Sequence, residues 1–85
     1  MPEISRFLGI VIRMYYREHS PPRFHARYGD FEITVEIETG RVVGRFPPRA
    51  LRHVLEWRVL EREALAEDWA LAAIGKPLHL IPPLE

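Results

Sequence analysis

The sequence predicts an α+β fold. It has a four-stranded antiparallel β-meander, then one long helix or two consecutive C-terminal helices packed on one sheet face, then an extended tail. Three observations predict this. Apolar and polar residues alternate through the first half of the chain. Glycine-bearing turns separate the alternating stretches. At Pro47-Pro48 the hydrophobic period changes from two to about 3.6 residues. A length of 85 residues suits a single domain, residues 1–85, with the sheet in 7–46, the helical segment in 48–74 and the tail in 76–85.

Ile10–Arg17 is read as the first strand. Ile10, Ile12, Met14 and Tyr16 fall on one face, and Val11, Arg13, Tyr15 and Arg17 on the other. His19-Ser20-Pro21-Pro22 interrupts it, because proline has no N–H for a sheet ladder. Phe24–Tyr28 is the second strand. Gly29-Asp30 suits a two-residue hairpin turn of type II′, with glycine first. Phe31–Ile37 is the third strand and the clearest: Phe31, Ile33, Val35 and Ile37 alternate with Glu32, Thr34 and Glu36. Glu38-Thr39-Gly40 fits a three-residue hairpin loop, and Arg41–Phe46 is the fourth strand.

Proline is tolerated in the first turn of a helix, so Pro47-Pro48 opens the helical segment. Leu51, Val54, Leu55, Arg58, Leu65, Trp69 and Ala72 follow helical spacing. Gly75 and Pro77 end it. A single helix would be long for a small domain, and a break near Glu61–Glu63 gives the two-helix alternative. Leu78–Glu85 is apolar and proline-rich for an exposed end, so it is expected to dock on its own sheet or on a neighbour.

Composition excludes several classes. There is no cysteine, hence no disulfide framework, thiolate metal site or cysteine nucleophile. No apolar run approaches membrane-spanning length and no leader-like segment is seen, so a cytoplasmic protein without a membrane partner is expected. The formal net charge is zero, which gives no support for nucleic-acid binding. Charge is nevertheless segregated. Residues 1–29 carry Arg6, Arg13, Arg17, Arg23 and Arg27 against Glu3 and Glu18, while residues 30–40 carry only acids. Residues 41–62 hold six arginines against Glu56 and Glu61, and residues 63–85 are again acidic. Internal complementarity is the favoured reading of such blocks.

The Gly29-Asp30 turn sets the pairing of the middle strands: Tyr28 with Phe31, Arg27 with Glu32, Ala26 with Ile33, and His25 with Thr34. His25 and Arg27 therefore share the polar face with Glu32, Thr34 and Glu36, joined by Arg13 and Arg17 if the first strand lies alongside. His19 and Arg23 border it. These residues form the candidate binding surface, although a solvated, ion-paired sheet face is the commoner arrangement. His19 and His25 are the candidate proton carriers and the only weak metal candidates. No spacing supplies a third and fourth ligand, so neither a metal nor a cofactor is expected. His53 is read as exposed on the helix, and His79 lies in the tail. Tyr15, Tyr16, Phe24, Tyr28 and Phe31 admit a stacking platform, with core and cross-strand packing the favoured reading.

The opening run Pro2–Tyr15 resembles the start of the bacterial family called domain of unknown function 4160. His19-Ser20-Pro21-Pro22-Arg23-Phe24-His25 resembles its His-x-Pro-Pro-His-Phe-His signature, and Ile37–Gly40, Leu55-Glu56-Trp57 and Asp68-Trp69 also match its pattern. The chain departs at Arg23, where the family commonly has His, which weakens a three-histidine metal site. Members resemble stand-alone prokaryotic proteins often encoded beside a second small family, domain of unknown function 2442, in toxin–antitoxin-like pairs. The resemblance thus implies a small protein partner encoded nearby, or self-association.

Two functional readings follow. In the first, the chain is a non-enzymatic interaction or regulatory module binding through a sheet edge, the polar face or the tail. In the second, it is a small toxin-like nuclease or phosphate-binding protein using His25 and His19 with Arg23 and Arg27. The sequence leans toward the first, and so away from an enzyme.

Overall fold

In the computed structural model, which describes residues 2–85, strands and helices segregate along the chain as the change of period requires. The strands are β1 (Glu3–Phe7), β2 (Ile10–Arg13), β3 (Arg23–Tyr28), β4 (Phe31–Glu36) and β5 (Val42–Gly44), followed by helices α1 (Pro48–Leu60) and α2 (Arg62–Ala73). All strand pairs are antiparallel, in the order β1-β2-β3-β4-β5.

The sheet thus has five strands, correcting the expected four. The added strand is β1. Its register against β2 shifts between Glu3 and Ser5, so Ile4 and Ser5 are both buried. A bulge of this kind destroys the period of two by which a strand is recognised. The β1–β2 turn is equally hidden. Leu8 and Gly9 both have positive φ, 51° and 79°, as a type I′ hairpin turn requires, but leucine is an unusual occupant of its first position.

β2 is also shorter than the expected Ile10–Arg17. The chain leaves the sheet after Arg13, and Arg17 takes φ 53°. The Arg17 N–H donates to the Ala72 carbonyl at the end of α2 (3.2 Å). The β3–β4 hairpin matches expectation, whereas the β4–β5 loop is one residue longer than the expected Glu38-Thr39-Gly40: Val35 pairs with Val42 and the Glu36 N–H donates to the Arg41 carbonyl (2.9 Å), so Ile37–Gly40 make the turn. The β3–β4 register pairs Tyr28 with Phe31, Arg27 with Glu32, Ala26 with Ile33 and His25 with Thr34. β5 covers only the middle of the expected Arg41–Phe46 and ends at Gly44, whose φ is 109°.

Of the two helical alternatives, the structure has two helices. Glu61, at φ −111° and ψ 24°, interrupts the ladder between them. Together they cover one sheet face. Trp57 is fully buried there, its ring 5.3 Å from that of Phe7 and 5.6 Å from that of Phe24. Arg58, on the same helix, reaches the β4–β5 loop and donates to the Ile37 carbonyl (2.6 Å).

The C-terminal segment docks on its own domain. Its burial recurs every three residues, at Leu78, Ile81 and Leu84, which is the period of an extended polyproline II helix. Three hydrogen bonds hold it. Ile81 N–H donates to the Ile4 carbonyl (2.7 Å), the Trp57 indole to the Pro82 carbonyl (2.8 Å), and His79 N–H to Asp68 Oδ1 (2.9 Å). Asp68 is 1% exposed and its Oδ2 has no partner. Removal from water pushes this carboxyl above the usual carboxylate range, partly offset by the His79 N–H.

Candidate functional site

The helices occupy one sheet face, so the opposite face of β2, β3 and β4 is left uncovered. Strand alternation places Arg13, Arg23, His25, Arg27, Glu32, Thr34 and Glu36 on it. Arg13 pairs with His25 and Val11 with Arg27, so β2 does lie alongside β3 and brings Arg13 to this face. Arg17 does not join. It sits in the β2–β3 connection, with its guanidinium against Gly75.

The centre of the face is built by that connection. The Tyr15 ring lies on the His25 imidazole at a centroid distance of 4.0 Å and an interplanar angle of 22°. The loop then turns back, and Glu18 delivers its carboxylate to the same imidazole. His25 Nε2 is 3.1 and 3.0 Å from the two oxygens. The same carboxylate accepts from Arg23 Nε at 3.0 Å. A carboxylate can only accept, so Nε2 carries the proton in this contact. Nδ1 then faces Glu32, whose nearest oxygen is 3.8 Å away, beyond hydrogen-bond range. The His25 side chain is only 12% exposed and that of Glu18 17%, so the pair is shielded from water.

Glu18 is the site residue that the sequence reading missed. It sits beyond the expected strand end and seven residues before its partner. The signal available was the proline turn between them, which folds Glu18 back toward Arg23 and His25.

The other candidates are placed unevenly. Arg27 is exposed and donates to the Gly29 carbonyl (3.2 Å). Glu36 receives the Thr39 hydroxyl (3.1 Å) and lies 3.8 Å from Arg41. Thr34 is half-buried beside His25. His19 is exposed and has no contact with His25 among the described hydrogen bonds and ion pairs. Among the described residues no three His, Asp or Glu side chains converge as a metal site requires. His53 is half-buried rather than exposed, because it lines a groove beside Tyr28.

The aromatic residues form no single platform. Phe24 is core, Tyr15 covers His25, and Tyr28 lies toward Phe46 with rings 6.1 Å apart. The polar face itself is shallow. The recess among Val11, Arg13, Tyr15, His25 and Arg27 holds about 10 Å³, far below the roughly 300 Å³ at which small-molecule pockets begin.

The family model described as domain of unknown function (DUF4160) matches residues 9–70. The chain belongs to that family. In this DUF4160 protein the match spans β2 to most of α2 and contains the whole Tyr15–Glu18–Arg23–His25 cluster. It leaves out β1 and the C-terminal segment, which hydrogen-bond to each other. No curated protein and no solved structure matches the chain. No helix among the described residues is long and apolar enough to cross a membrane.

Proposed function

We propose that this DUF4160 chain is a non-enzymatic interaction module whose working surface is the open polar face around His25. One observation carries the proposal: the face is nearly cavity-free and its central side chains are already paired. Glu18 ties up both Arg23 and His25, and Arg27 is held to the Gly29 carbonyl. A flat surface whose central side chains are already paired suits a macromolecular partner, because less side-chain entropy remains to be lost on docking. The partner implied by the family resemblance is a small protein encoded nearby, of the domain of unknown function 2442 family, in a toxin–antitoxin-like pair. Of the other routes, the C-terminal segment is committed to its own domain.

The test is purification of the tagged chain from a host carrying its neighbouring genes. A stoichiometric small protein, lost when Arg27→Glu and Glu32→Arg are combined, is the expected result. Recovery of the chain alone would overturn the proposal.

A second reading is favoured by the Glu18–His25 pair. A carboxylate that fixes one imidazole nitrogen and leaves the other open is how a general base is oriented. Phosphate binding by Arg23 would require breaking its bond to Glu18, which ranks this reading second. Loss of RNA cleavage or of growth inhibition in His25→Ala, with the fold intact by circular dichroism, would favour it.

A further inference from the structure

A different surface lies at the end of the sheet nearest the start of α1. The inner sheet face runs past the helix there. Tyr28 and Phe31, register partners flanking the Gly29-Asp30 turn, emerge from under the helical layer 38% and 47% exposed. Phe46 extends the row, its ring 6.1 Å from that of Tyr28. Two open grooves meet at Pro47. One, of about 310 Å³, is lined by Leu8, Tyr28, Arg49 and His53. The other, of about 410 Å³, is lined by Phe31, Arg45, Phe46 and Leu51.

Arginines outnumber acids around these rings. Arg45, Arg49 and Arg52 are all exposed. The arginine ion pairs among the described residues belong instead to Arg6, Arg23, Arg41 and Arg62. The first turn of α1 carries no acid; Asp30 lies in the turn between Tyr28 and Phe31, Glu32 follows Phe31 on the opposite sheet face, and Glu56 lies further along α1. Arg49 and Arg52, three residues apart, share a side of the helix. Open rings interleaved with unneutralised arginines, along a shallow path rather than in an enclosed pocket, match what single-stranded nucleic acid needs: faces for bases to stack on and cations for the phosphates. An acidic peptide would use the arginines but leave Tyr28 and Phe31 without a function.

We infer that the Tyr28–Phe31–Phe46 surface, with Arg45, Arg49 and Arg52, binds single-stranded nucleic acid. This surface is separate from the His25 face and does not depend on the reading of that face.

The test uses the full chain and fluorescence anisotropy of end-labelled twelve-nucleotide oligo(U) and oligo(dT). Three phosphate contacts give a salt slope of about −2, so raising salt from about 50 to about 200 mM should weaken binding roughly 15- to 20-fold. Tyr28→Ala and Phe31→Ala should each weaken binding about tenfold. Arg45→Gln with Arg49→Gln, both at exposed positions, should flatten the salt slope to about −0.7. Arg6→Gln, which makes the same type of charge change on β1, should leave binding within about twofold. Melting curves identify any variant that has merely lost its fold, and the arginine pair keeps the test open if a ring variant does. No binding, binding indifferent to these substitutions, or equal displacement of the oligonucleotide by poly-glutamate would overturn the inference.

Discussion

Ile81 offers a sharp test of whether the C-terminal segment belongs to the fold. Ile81 is 4% exposed and its neighbour Leu80 is 81% exposed. Replacing Ile81 by alanine removes three buried carbons, worth about 0.8 kcal/mol each, or roughly 2.4 kcal/mol in transfer alone. The hydrogen bonds from Ile81 N–H to Ile4 and from the Trp57 indole to Pro82 hold the segment in place, so the vacated space cannot readily close. A cavity contribution then brings the loss to about 3 kcal/mol. A domain of this size has only about 4–13 kcal/mol in total. Each kcal/mol shifts the midpoint of a small domain by roughly 4–8 °C. Ile81→Ala should therefore melt about 12–24 °C below the parent, whereas Leu80→Ala should stay within about 2 °C. Thermal melts followed by far-UV circular dichroism, with urea titrations to check that the m-value is unchanged, measure both. Equal effects of the two substitutions, or an Ile81→Ala shift under about 3 °C, would refute an intramolecular dock.

Asp68→Asn keeps an acceptor for the His79 N–H and removes a buried charge. The folded-state pKa of Asp68 is raised, so its protonated form stabilises at low pH and that contribution is lost as pH rises from about 4 through the folded value. Urea unfolding across this range should give the Asp68→Asn variant a flatter profile than the parent and no loss of stability at pH 7, whereas Asp68→Ala, which orphans the N–H, should lose about 1–3 kcal/mol. Gly44→Ala would place a Cβ 2.7 Å from the Glu32 carbonyl oxygen at a φ of 109°. It should cost at least about 2 kcal/mol, read as a lower urea midpoint. Glu18→Ala leaves Arg23 Nε and His25 Nε2 without their shared acceptor. Both retain some access to water, so the expected loss is about 1–2 kcal/mol, partly restored by Glu18→Gln, and a change under about 0.3 kcal/mol would contradict the geometry.

The parts of the fold legible in the sequence are those where one local rule acts alone. Phe31–Ile37 alternates without a break, and the Gly29-Asp30 turn is short enough to set the register, so every β3–β4 pair expected from them is present. β1 escaped because a bulge puts Ile4 and Ser5 in the interior together and a leucine occupies a left-handed turn position. The extra length assigned to β2 has a similar origin. Met14 and Tyr16 continue the alternation, but tertiary contacts of the loop with α2 draw the chain out of the sheet. At the candidate site the strand residues His25, Arg27, Glu32 and Thr34 followed from register alone. Glu18 did not, because its placement depends on how the proline loop returns, and no periodicity records that. His53 was misplaced for a related reason: a polar position on a helix is half-buried when a neighbouring turn rises beside it.

The two edge strands differ in what they leave open. At β1 the Ile4 carbonyl is taken by Ile81, whereas β5 pairs with β4 on one side and has no other strand neighbour among the described residues. The two edges are therefore unequal as templates: a strand arriving at β1 must first displace Ile81 from the Ile4 carbonyl, a cost that a strand arriving at β5 does not meet.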